Sequence, residues 1–329
     1  MRSSRLSLAR DEGLLDLPAG GPVAVFSPQA GDDLTPLGRA RVQVVTGFRP
    51  DHDAFAAAGY DVAAAPVGPY AAALVCLPRA RAEARALVAQ AVAHLPQGAP
   101  VIVDGQKTDG VDAMLRELKG RVAVSESLAK AHGKLAVFAA PGPAVFADWV
   151  AQPRDLPEGF RTWPGVFSAD GVDPGSALLA AALPAKLPRR VADLGAGWGY
   201  LGRAILSRPG VEELHLIEAD AAALDCARLN LPDPRVRFHW ADATRGKWGP
   251  VDAVVMNPPF HTGRAPDPAL GAAFIRAAAA MLTPSGTLWM VANRHLPYDP
   301  VLTAAFREVE EIGGDNRFRL MRAARPLRA

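Results

Sequence analysis

The sequence predicts an α/β protein with two Rossmann-like domains, which cover residues 1–150 and 151–329. A chain of 329 residues has the length of two average domains. In both halves, short apolar segments alternate with segments of helical pattern, as is typical of parallel sheets covered by helices. Between the halves, the twelve residues from Pro153 to Pro164 contain three prolines and one glycine, so they cannot continue a helix or a central strand.

The second half has the clearer alternation. Short segments rich in Val, Ile and Leu predict strands, and parallel strands bind ligands at their carboxyl ends. The last predicted strand alternates charged and apolar residues, which is the pattern of an edge strand. The predicted strands are Arg190–Leu194, Glu213–Glu218, Arg235–Trp240, Val251–Met256, Thr287–Ala292 and Arg317–Arg322, and the predicted helices are Leu201–Ser207, Ala221–Leu229 and Ala269–Leu282.

The first half repeats this order more faintly. The segment Ala72–Pro78, a helix and then His94–Gly98 parallels the segment Asp252–Pro258, a helix and then Met281–Gly286. We interpret this as an internal duplication with a degenerate first copy, although any two α/β domains share some likeness of this kind. The predicted strands of the first half are Val23–Phe26, Val42–Thr46, Ala71–Leu77 and Pro100–Asp104, and its predicted helix is Arg81–His94.

Composition excludes several classes of protein. Two cysteines, Cys76 and Cys226, cannot form a disulfide framework or a cysteine-rich zinc site, and the seven histidines show no metal-ligand spacing. The first ten residues lack the apolar core of a signal peptide, and no apolar run is long enough to span a membrane. We therefore expect a cytoplasmic protein that binds no metal and no membrane. A net charge of +2 neither requires nor forbids a nucleic-acid partner.

A glycine loop follows the first strand of the second half, with Gly195, Gly197 and Gly199 at alternate positions. Glycines allow a sharp turn and a close approach of ligand to backbone. The segment from Gly197 to Gly202 also matches the G-x-G-x-x-G pattern of dinucleotide-binding proteins, so an NAD-dependent enzyme remains an alternative. Asp193, two residues before the loop, suits the ammonium group of an amino-acid ligand better than a pyrophosphate. Glu218, at the end of the second strand, could hold ribose hydroxyls in either class.

The fourth strand ends in Asn257, two prolines and Phe260. The prolines stop the sheet ladder, and the residue before a proline is extended. The side-chain carbonyl of Asn257 and the backbone carbonyl of Pro258 would then offer two acceptors to one planar NH₂ group, and Phe260 would stack on a planar ring. This arrangement fits an exocyclic amine on a base or a side-chain amide.

Residues Val191–Arg322 resemble class I S-adenosylmethionine (SAM) methyltransferases of the small-domain group. More narrowly, the chain is similar to the ribosomal-RNA guanine-N2 methyltransferases, in which the first half is itself a degenerate methyltransferase domain. This resemblance implies a catalytic domain at 151–329 and a domain at 1–150 without a cofactor site. The motifs that carry it are Pro164–Ser168, Asp173–Leu179, Asn257–Gly263, Val291–Tyr298 and Arg317–Arg319.

The resemblance also implies roles for matching residues. The cofactor would be SAM, and the substrate would be a guanine of ribosomal RNA, with the small subunit favoured. Asp242 would face the adenine amine of SAM, and Asn257, Pro258 and Phe260 would be the catalytic residues that hold the target base. Trp198 departs from the small residue usual in this loop. Residues expected to bind the rest of the cofactor are Asp193, Gly195, Gly197, Gly199 and Glu218, together with Asn257.

Several alternatives and weaker signals stay open. A protein-glutamine methyltransferase uses a similar Asn-Pro-Pro motif, although usually with Tyr in the fourth position and a helical first domain. A non-catalytic RNA-binding module is a third alternative. His261 is a candidate substrate contact. Two arginine groups are candidate phosphate contacts or solvated faces: Arg79, Arg81 and Arg85, and the cluster Arg317, Arg319, Arg322, Arg325 and Arg328.

Overall fold

The computed structural model describes residues 2–246, 248–259, 261–262 and 265–327. The chain forms two compact units, Met1–Pro153 and Arg154–Ala329. Their boundary lies at the start of the proline-rich segment that separates the two predicted domains.

The first unit is a seven-stranded sheet with helices on both faces. Its strand order is β3-β2-β1-β4-β5-β7-β6, parallel up to β5 and antiparallel beyond it. The strands are β1 Val23–Phe26, β2 Val42–Val45, β3 Asp61–Ala63, β4 Ala72–Cys76, β5 Pro100–Gln106, β6 Leu128–Lys130 and β7 Gly133–Ala139. The helices are α1 Arg2–Asp11, α2 Arg49–Ala57, α3 Arg81–Ala93 and α4 Val111–Lys119.

The second unit contains a seven-stranded sheet with the order β12-β11-β10-β13-β16-β18-β17. Its strands are β8 Arg154–Asp155, β9 Arg161–Thr162, β10 Arg190–Leu194, β11 Glu213–Glu218, β12 Val236–Trp240, β13 Val251–Met256, β14 His261–Thr262, β15 Ala265–Pro266, β16 Leu282–Asn293, β17 Phe306–Gly314 and β18 Phe318–Pro326. Its helices are α5 Pro174–Ala182, α6 Tyr200–Leu206, α7 Ala221–Asn230, α8 Pro268–Met281 and α9 Asp299–Ala305.

The two sheets have the same topology. In order of appearance, the strands of both large sheets run 3-2-1-4-5-7-6, with five parallel strands followed by an antiparallel pair. In both units a helix that precedes the first strand, α1 or α5, packs on one face of the sheet. This shared order supports the internal duplication inferred from sequence, and it confirms the two α/β domains.

Apolar composition and helix caps account for the predicted elements of the second unit. Strands β10 and β13 are buried almost throughout, as strands covered on both faces must be. Helices α5, α7 and α8 begin where Asp173, Asp220 and Asp267 accept hydrogen bonds from the first-turn N–H groups. These aspartates therefore set where each helix begins.

One prediction about the sheet was wrong. The segment Arg317–Arg322 is not at the edge, because β18 lies between β16 and β17. The edge strand next to β18 is β17, an acidic segment whose weak apolar pattern does not predict a strand. The sheet is also mixed, with β16 and β18 antiparallel.

Acidic residues that face β18 neutralise most of the arginine cluster. Arg319 pairs with Asp299 and Glu311, and Arg322 and Arg325 pair with Glu308. Arg328 lies outside the described residues, and Arg317 makes no ion pair within them. The cluster is therefore largely a network of ion pairs rather than a free basic surface.

In the first unit, Arg81 and Arg85 both pair with Glu117. No helix among the described residues is long and apolar enough to cross a membrane. Over the same described ranges, His, Cys, Asp and Glu side chains form no group of three or more that could hold a metal ion.

Candidate active site

Sheet register brings the predicted site residues of the second unit to one edge. Leu194 at the end of β10 pairs with Ile217 of β11 and with Met256 of β13. Glu218 pairs with Trp240 at the end of β12. Because these strands are parallel, the glycine loop, Glu218, Asp242 and Asn257 all follow at the carboxyl edge, where α/β sheets bind ligands.

The glycine loop requires glycine for two different reasons. All three glycines have positive φ, at 71° for Gly195, 54° for Gly197 and 92° for Gly199. In this region of φ, a residue with a side chain would be strained. A Cβ on Gly199 would lie only 2.9 Å from Cδ1 of Leu231. A Cβ on Gly197 would meet nothing within 4 Å, so this backbone faces open space. The loop is thus packed on one side and accessible to a ligand on the other.

The side chain of Trp198 is packed against the protein and does not hang loosely over the glycine loop. It is 4% exposed, its indole Nε1 donates to the carbonyl of Phe167 at 2.9 Å, and its ring packs edge-on against Phe160. The Trp198 carbonyl accepts a hydrogen bond from Asn230. The large residue thus anchors the loop to the segment that precedes α5.

Asp193 is the most unusual group of the site. Its side chain is fully buried, and neither carboxylate oxygen has a hydrogen-bond partner among the described residues. Burial, and secondarily the charge of Glu218, raise the pKa of Asp193 to about 8, although the nearby N–H of Gly202 opposes the shift without reaching hydrogen-bond geometry. A buried carboxylate without hydrogen-bond donors is costly, so this position suits a cationic donor.

Glu218 already supports the loop. Its Oε2 accepts from the Gly197 N–H at 2.7 Å, and its Oε1 accepts from the Asp220 N–H at 2.8 Å. Burial raises the pKa of Glu218 to about 7, while these N–H groups lower it. A carboxylate has further lone pairs, so Glu218 keeps acceptor capacity for hydroxyl groups.

Asp242 follows β12 and is engaged locally. Its Oδ1 accepts from the Thr244 N–H at 2.8 Å and from the Thr244 hydroxyl at 2.6 Å, while Oδ2 lies 3.5 Å from the Arg245 guanidinium. The carboxylate therefore stabilises a turn at the sheet edge. Its contact with adenine remains a prediction.

The structure places two further residues in contact with Asn257. Nδ2 of Asn257 donates to Oδ2 of Asp173 and to Oγ of Ser176, both at 2.9 Å. The sequence motif that contains these two residues carried no assigned role, because their partner lies more than 80 positions away. Phe260 lies outside the described residues, and so does the side chain of His261.

A single cavity joins these groups. The cavity is small, with a volume of about 40 Å³. Its lining includes Asn257, Asp173 and Ser176, together with the glycine loop from Gly195 to Trp198. Asp193, Glu218 and Asp242 do not line it, although they belong to the same sheet edge.

The first unit lacks the equivalent groups. Leu77-Pro78 matches Asn257-Pro258, and the residue two positions before Leu77, Val75, pairs with Phe26. The corresponding residue of the second unit, Val255, pairs with Asp193. Phe26 thus stands where the second unit has its buried carboxylate.

Ionic contacts also occupy the same edge of the first sheet. The guanidinium of Arg5 is fully buried and bonds both carboxylate oxygens of Asp104, at the end of β5. Arg2 bonds Asp104 at 2.8 Å and also bonds Asp32. Charged side chains of α1 therefore close the edge that is open in the second unit.

Comparison with known proteins agrees with this geometry. The family model described as "Methyltransferase small domain" matches residues 158–322, a span that contains the glycine loop, Glu218 and Asn257. Fold and site together define the chain as a SAM-dependent methyltransferase.

Relatives of similar length exist. Proteins named "Ribosomal RNA small subunit methyltransferase C" from Alteromonas mediterranea and Aeromonas hydrophila are 30% and 31% identical to this chain; the alignments cover 76% and 75% of it and 72% and 75% of the relatives. The T. thermophilus 16S rRNA N2 G1207 methyltransferase (RsmC), solved with AdoMet and guanosine, is 25% identical with a TM-score of 0.76, covering 94% of this chain and 90% of that one. The chain belongs to the methyltransferase small domain family.

Proposed function

We propose that this chain transfers a methyl group from SAM to the exocyclic N2 amine of a guanine in small-subunit ribosomal RNA. The observation that carries this proposal is the fixed orientation of the Asn257 amide. Its NH₂ is bound on the protein side, and its carbonyl accepts no hydrogen bond from the described residues. A free carbonyl at the cavity wall favours a substrate that donates, as an amine does. Ribosomal RNA as substrate also favours a cytoplasmic location.

The residues present fit SAM. Asp193 offers an unpaired buried carboxylate to its ammonium group, and the ligand would satisfy the missing hydrogen bonds. The open backbone at Gly197 leaves room for its methionine part, and Glu218 retains acceptor capacity for its ribose hydroxyls. When bound, SAM supplies an activated methyl group on a positively charged sulfur. An NAD-dependent enzyme, the alternative from the glycine pattern, leaves the Asp193 carboxylate without a partner.

Asn257 and Pro258 would bind and orient the target amine of the substrate. The lone pair of the guanine N2 nitrogen is delocalised into the ring, which makes the amine a weak nucleophile. If Oδ1 of Asn257 and the carbonyl of Pro258 accept its two N–H bonds, the lone pair localises on nitrogen and points away from both acceptors. Positioning is then the main source of rate acceleration. A guanine in a duplex must leave its stack to reach Asn257.

Arg317 is the best-placed RNA contact of the arginine cluster. Together with Asn293, His295 and Asn316 it lines an open cavity at the carboxyl end of β16. Asn293 pairs with Phe318, the neighbour of Arg317. A Cβ on Gly175 of α5 would lie 3.1 Å from the Phe318 ring, so this cavity adjoins the helix that holds Asn257. A phosphate next to the target nucleotide is a fitting ligand for such donors.

We further infer that the first unit binds no SAM and catalyses nothing. Phe26 replaces the carboxylate, Leu77 replaces the amide, and Pro28 removes a backbone donor from the loop after β1. We propose that its remaining role is to help position RNA.

Methyl transfer from tritiated SAM to separated ribosomal subunits tests the proposed substrate. We expect incorporation into small subunits, or into small-subunit RNA, from a strain that lacks the enzyme. Incorporation into large subunits alone, or into protein, would contradict the proposal.

A further inference from the structure

Two side chains at the start of α5 hold the amide of Asn257 in one orientation. An amide nitrogen carries two hydrogens and accepts nothing, and here both acceptors lie at 2.9 Å from Nδ2. The oxygens of an ionised carboxylate, such as that of Asp173, only accept hydrogen bonds. Turning the amide over would therefore bring Oδ1 of Asn257 against an oxygen of Asp173.

The two acceptors are themselves fixed by the fold. Oδ2 of Asp173, the atom that receives Asn257, also accepts from the Ser176 N–H at 2.8 Å and so caps the helix. Pro174 occupies the first turn of α5, and Leu179 anchors the helix as a fully buried side chain. Ser176 is only 7% exposed. Acceptors on a rigid, packed helix hold their partner more accurately than acceptors on a loop.

We propose that Asp173 and Ser176 are positioning residues that give the substrate site its acceptor polarity. By binding both hydrogens of the Asn257 amide, they leave only its carbonyl oxygen to face the substrate. The site then selects a group with N–H bonds to donate and disfavours carbonyl oxygens and unprotonated ring nitrogens. This inference rests on the proposed function, in which Asn257 receives the target amine.

Single variants separate this role from simple support of the fold. Ser176→Ala removes one acceptor and leaves the helix cap intact, so we expect kcat to fall about tenfold, with KM for RNA and Kd for SAM within about twofold. Asp173→Ala removes the other acceptor and the cap, and we expect kcat to fall about 100-fold. Asp173→Asn keeps an acceptor oxygen and an equally good cap, and we expect it to restore most of the loss.

A double-mutant cycle with Asn257→Ala, assayed on small ribosomal subunits in single turnover, is the decisive experiment. Once Asn257 is absent, adding Ser176→Ala should change the rate by no more than about twofold. If Ser176→Ala lowers the rate by the same factor with and without Asn257, the positioning role is wrong and the proposed function stands. If Asn257→Ala alone retains near-normal turnover, the proposed role of Asn257 fails, and the inference fails with it.

Discussion

Replacing Asp193 by Asn removes a buried carboxyl group whose ionisation destabilises the ligand-free protein. The folded carboxyl retains its proton up to about pH 8, whereas the unfolded carboxyl loses it near 3.8. Between these values the folded state binds more protons than the unfolded state, so stability falls as pH rises. The slope is at most about 1.4 kcal/mol per pH unit. Asn cannot titrate, so its free energy of unfolding does not fall with pH for this reason. The stability of Asp193→Asn relative to the wild type should therefore increase with pH, by about a few kcal/mol at pH 7.

Urea unfolding at pH 5, 6, 7 and 8, with and without SAM, measures this effect. SAM should stabilise the wild type more as pH rises toward 8, because its ammonium requires the ionised carboxylate, and it should stabilise Asp193→Asn little. Asp252→Asn is the matched control with the opposite sign. A hydrogen bond from Arg190 lowers the pKa of Asp252. The ion pair therefore stabilises the fold above about pH 4 and loses this effect in acid, and for this partly exposed pair the stabilisation is under about 1 kcal/mol. A pH-independent difference between Asp193→Asn and wild type would refute the reasoning.

Three further predictions concern substrate, RNA and the first unit. Asn257→Ala should lower single-turnover methylation about 100-fold or more while calorimetry shows a nearly unchanged Kd for SAM; near-normal turnover would remove Asn257 from the mechanism. Arg317→Ala should raise KM for RNA and reduce the salt slope of binding by roughly one unit, whereas Arg189→Ala, at the opposite edge of the sheet, should do neither; equal effects would point to general charge. Calorimetry on the full chain should give one SAM per chain, lost in Asp193→Asn; a stoichiometry of two would mean that the first unit also binds.

The sequence predicted the core of the sheet and the site edge well. Strands β10, β11 and β13 were predicted from short segments rich in apolar residues, and the residues that follow them form distinctive motifs. The backbone topology of parallel strands places such motifs at a common edge of the sheet, independently of side-chain contacts. The glycine loop and Asn257 could therefore be brought together from sequence alone.

Long-range side-chain contacts could not be predicted in the same way. Asp173 and Ser176 contact Asn257 across more than 80 residues, and no local pattern encodes that distance. The pairing of β17 with β18 was missed for a related reason, since the acidic residues of β17 meet their arginine partners only once the two strands pair. The role of Asp242 could not be predicted either, because a carboxylate at the carboxyl edge of the sheet can stabilise a local turn as well as bind a ligand.

The atom that receives the methyl group is the most direct test of the central claim. RNA from methylated small subunits is digested to nucleosides, and the labelled product is compared with methylated standards by chromatography and mass spectrometry. The free carbonyl of Asn257, held by Asp173 and Ser176, predicts methylation of an exocyclic amine. With the proposed guanine substrate, the labelled nucleoside should be N2-methylguanosine. Label at a ring nitrogen, at a ribose hydroxyl or on another base would contradict the account.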